Sequence, residues 1–158
     1  MKYKYLFLSF MLLILVGSIT AIAANEASIG DYTFTLPDGY TIANQTEDLI
    51  SMTQDDDHAI VISDPEVVKS SEQFKADLEA EGYEFGDEAN YTSGNFDIEQ
   101  YNYDYDAYKG FLYICHDNTD DNEVFLITLV MPGDEDTPSE DDNPVSTIIS
   151  SFTPEADD

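Results

Sequence analysis

Two late segments are apolar on both of their alternating faces. In Glu123 to Met131, Val124, Leu126, Thr128 and Val130 alternate with Phe125, Ile127, Leu129 and Met131. In Lys109 to His116, Phe111, Tyr113 and Cys115 alternate with Leu112, Ile114 and His116. Successive side chains of a strand point to opposite sides, so such strands must be covered on both. The polar run Asp117 to Asn122 joins them as a hairpin. This hairpin therefore belongs at the centre of a sheet with helices packed on its two faces.

The remaining punctuation supplies those partners. Tyr32 to Leu36 alternates with period two and ends in the turn signal Pro37-Asp38-Gly39. Tyr40 to Ala43 reads as a short strand, and Leu49 to Thr53 with His58 to Ser63 as a hairpin around Asp55, Asp56 and Asp57. Ser70 and Gln73 have the spacing of a capping box, Phe74 and Leu78 share one helical face, and Gly82 is a stop signal. Phe96 to Tyr105 is extended. Asn143 and Pro144 open a final helix whose Val145, Ile148, Ile149 and Phe152 fall on one stripe. The expected fold class is α+β: an antiparallel β-sheet flanked by two helices, an α/β/α sandwich, over residues 30–153. Residues 24–29 read as a linker and 154–158 as an acidic tail.

The turn Leu36-Pro37-Asp38-Gly39-Tyr40 resembles the opening Pro-x-Gly-aromatic turn of PsbP-like and Mog1-like domains. The element order is similar too, from the early hairpin through the Ser-capped helix and long antiparallel strands to a short helix ending in Ser150-Ser151-Phe152. Tyr40 stands where that family usually carries tryptophan. The resemblance implies an α/β/α sandwich and a binding role, since members serve as accessory proteins of photosynthetic complexes, as partners of a small GTPase or as secreted proteins. It implies no particular partner.

The N-terminus reads as an export signal. Lys2 and Lys4 precede an uncharged run from Tyr5 to Ala24, and Ala21-Ile22-Ala23 is a small-x-small cleavage motif. Residues 1–23 are expected to be removed between Ala23 and Ala24, or else to stay as a membrane anchor within 5–24. Either outcome places the domain outside the cytoplasm, secreted or at the cell surface.

Composition narrows the partners. Thirty-four acidic residues face five lysines and no arginine, a formal net charge of −29. Such a surface repels phosphate and anionic lipid, so neither nucleic acid nor a membrane surface is an expected partner, the N-terminal segment aside. Added salt should raise the melting temperature by screening this repulsion. One cysteine, Cys115, excludes an intrachain disulfide. On a strand it faces away from His116, so the two cannot form a thiol–imidazole pair.

No nucleophile elbow, zinc-protease motif or phosphate-binding loop occurs. Asp117, Asp120, Asp121 and Glu123 bunch in one hairpin loop and are the residues for a divalent cation to use, although their spacing is not that of an EF-hand. Tyr101, Tyr103 and Tyr105 alternate, either as an aromatic platform for binding or as the buried face of a strand. The apolar phase moves from even positions at Phe96 and Ile98 to odd ones at Tyr101 to Tyr105. A bulge near Glu99-Gln100 would put all of them on one side and make the tyrosines core; cover on opposite faces is the alternative. Asn44-Gln45-Thr46 and Asn90-Tyr91-Thr92 are N-glycosylation sequons expected in turns.

The sequence thus points to an exported, acidic, non-catalytic accessory or binding module without a cofactor, its partner a protein or an envelope component. An envelope-polymer hydrolase and a cation-stabilised structural component are the alternatives.

Overall fold

The computed structural model describes residues 25–155. The expected leader, with its cleavage position at Ala23 and Ala24, lies outside the described residues, as do residues 156–158. Among the described residues the chain is mainly antiparallel sheet with two α-helices, an α+β fold. The strands are β1 (Glu26–Ile29), β2 (Tyr32–Thr35), β3 (Thr41–Gln45), β4 (Leu49–Thr53), β5 (Ala59–Ser63), β6 (Glu84–Ser93), β7 (Phe96–Tyr105), β8 (Tyr108–Asp117), β9 (Val124–Pro132) and β10 (Thr153–Pro154). The helices are α1 (Ser71–Glu81) and α2 (Pro144–Ser151). Among the described residues no helix is long and apolar enough to cross a membrane.

Seven strands form one sheet in the order β3-β4-β5-β9-β8-β7-β6. The doubly apolar pair β8 and β9 lies in its interior, where both faces are covered. On one face Phe111, Tyr113, Cys115, Phe125, Ile127 and Leu129 pack with Val145, Ile148 and Ile149 of α2. On the other, Leu112, Ile114, Val124 and Leu126 pack with Phe74 and Leu78 of α1. Both helices start where the sequence signals said. Ser70 and Gln73 complete a reciprocal capping box, and the Asn143 side chain accepts from the Val145 N–H with Pro144 in the first turn. Gly82 stops α1 in the left-handed region (φ 110°). The Pro37-Asp38-Gly39 turn is closed by a 3.2 Å bond from the Tyr40 N–H to the Pro37 carbonyl, with Gly39 at φ 83°.

Four expectations are corrected. Residues 24–29 are no linker, because 26–29 form β1, which pairs with β2 and buries Ala27 and Ile29. The helices are not the only covers. A second sheet, β1-β2-β10, lies on the α2 face, adding Tyr32 and Phe34 to that core. The acidic tail begins later than 154, since Pro154 pairs with Tyr32 and the Glu155 N–H bonds Asp31.

The fourth correction concerns β7. No bulge interrupts it: Phe96 to Tyr105 pair without a shift against Asp117 to Tyr108. Phe96 and Ile98 enter the α2-side core while Tyr101 and Tyr103 enter the α1-side core. The apolar phase changes because the cover changes: α2 and the small sheet lie over one end of the strand, α1 over the opposite face of the other. The irregularity sits on the neighbour, β6, between Phe85 and Glu88.

Candidate functional site

A serine, a glutamate and a histidine converge on the α1 face, at the start of that helix. The capping box fixes Ser71 as the first residue of α1. Glu99 of β7 and His116 of β8 share a sheet face, with Glu99 opposite Ile114 and His116 opposite Asp97. The Ser71 hydroxyl donates to Glu99 Oε2 and lies 3.1 Å from His116 Nε2. Glu99 Oε2 is 3.5 Å from the same nitrogen. Asp97 accepts at 2.9 Å from the Thr92 hydroxyl on β6. Lys75, one turn along α1, places Nζ 4.1 Å from the centre of the Tyr101 ring.

Serine, histidine and glutamate together invite comparison with a nucleophilic triad. A triad needs the carboxylate on the ring nitrogen that the serine does not use, so that imidazole is held as a base toward serine. Here both groups meet Nε2, and the serine hydrogen is committed to glutamate. The arrangement is a partly open hydrogen-bonding cluster, with His116 and Glu99 side chains 36% and 30% exposed. Just before the helix cap, Val67 and Val68 are 53% and 42% exposed, two of the large apolar residues facing solvent. Reasoning from sequence missed this cluster. Ser71, Glu99 and His116 are far apart in the chain, and no spacing rule links them. Only the β7–β8 register and the position of α1 bring them together.

The expected sites fare differently. Tyr101 and Tyr103 are buried and Tyr105 half-buried, so the row is no exposed platform. Tyr103 donates to the Leu129 carbonyl at 2.8 Å, and Tyr83 stacks on Tyr105 at 4.3 Å between centroids. Cys115 is buried on the face away from His116, and burial pushes its thiol up to about 12. In the hairpin loop Asp117 turns inward at the end of β8. It accepts from the Tyr32 hydroxyl at 2.5 Å and from the Thr119 N–H and hydroxyl at 2.8 and 2.6 Å. Burial alone would raise the Asp117 carboxyl, but these donors hold it below its ordinary value. Asp120 is engaged by Asn122, and Asp121 points to solvent. The four acids are thus not gathered into a chelating set; among the described residues no three histidine, cysteine or acidic side chains converge as metal ligands would. Asn44 and Asn90 lie on strands β3 and β6, not in turns.

The second histidine is a clamp. His58 Nδ1 is 2.8 Å from Asp55 Oδ1, and Nε2 is 2.9 Å from Glu135 Oε2, so one ring ties the β4–β5 loop to the segment after β9. Only the imidazolium can donate from both nitrogens. Partial burial lowers the His58 pKa, but bonds to Asp55 and Glu135 outweigh it and leave the value raised. A raised folded value means the clamp stabilises fully below about pH 6.5, the ordinary titration point, and loses this contribution as pH rises through the folded value. Wild type should therefore lose melting temperature relative to His58→Gln as pH climbs above neutrality. Parallel melting curves from pH 6 to 9 would contradict the clamp.

No protein-family model matches this chain, and no curated protein matches it.

Proposed function

We propose that the chain is an exported, single-domain accessory or binding module that acts at the cell surface, on a PsbP-like and Mog1-like α/β/α sandwich. The leader motif supports export, and helices on opposite sheet faces support the sandwich. The observation that carries the binding role is the mixed patch at the start of α1. Exposed Val67 and Val68 supply apolar area there, and Ser71, Glu99 and His116 supply donors and acceptors on a rigid base. Exposed apolar side chains just before a helix start that also gathers hydrogen-bonding groups suit a protein or envelope surface better than a buried small substrate. The single-nitrogen geometry at His116 favours this reading over a hydrolase.

A pull-down from the cell's envelope fraction tests it. Wild-type domain should retain a partner that Val67→Asp/Val68→Asp loses. Equal retention by both proteins would contradict the patch. Turnover of an envelope polymer that His116→Ala abolishes would favour the enzyme instead.

A further inference from the structure

The two outermost strands of the seven-stranded sheet, β3 and β6, each carry one of the chain's two sequons. An outer strand presents unpaired N–H and C=O groups that another chain can pair with, and proteins blunt such edges with charges, bulges or covers. Half of β6 is blunted in this way. Glu84, Asp87 and Glu88 line it, and the register shifts between Phe85 and Glu88. From Glu88 to Ser93 the strand is regular, and Ala89 to Ser93 carry no charge. Asn90 sits within that neutral stretch, exposed, beside Tyr91 at 40% exposure. The other outer strand, Thr41–Gln45, is uncharged throughout and has its register shift between Ile42 and Asn44. Asn44 sits at that shift. Each neutral stretch of outer strand thus contains a sequon.

We propose that N-linked oligosaccharides on Asn44 and Asn90 cover the two sheet edges and keep the domain monomeric. This rests on the export reading, because the oligosaccharide donor is a lipid-linked phosphate met during export. In the transfer, the bond between sugar C1 and the donor's phosphate oxygen breaks as C1 bonds to asparagine Nδ2. One amide proton is lost and the lipid phosphate departs. Asn90 Nδ2 donates to the exposed Glu88 carboxylate at 3.0 Å. At low ionic strength the net charge of −29 also opposes self-association. At about 1 M salt the screening length falls to about 3 Å, and a physical cover becomes the main barrier.

Peptide mapping of the native protein, together with its N-terminus, is the first arm of the test. Glycan mass on both asparagines is expected. A bare Asn44 and Asn90 on protein recovered outside the cytoplasm, whether the chain begins near Ala24 or keeps Met1 as an anchor, overturns the proposal and leaves export standing; a bare chain that keeps Met1 and is recovered only from the cytoplasm overturns both. The second arm is sedimentation at about 1 M NaCl. Wild type and Thr46→Ser/Thr92→Ser, which keeps both sequons, should stay monomeric. Asn44→Gln/Asn90→Gln should at least double in apparent mass, and Thr46→Ala/Thr92→Ala, which keeps both asparagines, should do the same. If either sequon-breaking pair folds and remains monomeric, the covering role is wrong.

Discussion

Replacing Gly110 by alanine should cost the domain roughly 3 kcal/mol or more, the upper end for overpacking. A Cβ at this position would stand 1.8 Å from the Leu129 carbonyl oxygen and 2.8 Å from its carbon. Both atoms are backbone, so no rotamer change relieves the clash. Gly110 pairs with Tyr103 on one side and Val130 on the other, in the interior of the seven-stranded sheet. The space it leaves open also lets the Tyr103 hydroxyl reach the Leu129 carbonyl. Adding one methyl group would therefore separate β8 from β9 and obstruct that bond. Urea denaturation of Gly110→Ala measures the loss. A change below about 1 kcal/mol would mean that the strand pairing differs from the one described.

Tyr103→Ala should cost roughly 2–4 kcal/mol as a large-to-small change in the core. The ring is only 2% exposed and packs against Tyr83 at 5.3 Å between centroids. Tyr103→Phe keeps the ring and removes only the hydroxyl bond, so it should cost about 1 kcal/mol. The two variants separate packing from hydrogen bonding. A loss within about 0.5 kcal/mol for Tyr103→Ala would mean an exposed ring and would return the tyrosine row to the candidate binding surfaces.

The covered hairpin was legible in the sequence because burial on two faces leaves no polar phase along a strand. Both helices were legible because Ser70, Gln73, Gly82, Asn143 and Pro144 act through local bonds that need no tertiary context. Strand β6 was not legible. As an outer strand with charge at Glu84, Asp87 and Glu88, it shows almost no apolar alternation. Its one local signal is the two-residue turn Gly94-Asn95, with Gly94 at φ 58°, leading into β7. The short β1 was obscured by its position directly after the uncharged N-terminal run from Tyr5 to Ala24. In β7 a break in phase reads equally as a bulge or as a change of cover. Only the placement of α1 and α2 decides between them.

The candidate site is illegible for a related reason. Ser71, Glu99 and His116 each look ordinary alone, and the cluster exists only through sheet register and helix placement. By contrast, the reading of Cys115 as core needed nothing beyond strand alternation.

The proposed binding surface lies at the start of α1. Hydrogen exchange on the domain, alone and with the cell's envelope fraction, tests it most directly. Protection is expected to grow over residues 66–71 and at Glu99 and His116 when the envelope is added, with the β3–β4 end of the sheet unchanged. Unchanged exchange at those positions, with protection appearing elsewhere on the domain, would contradict the account.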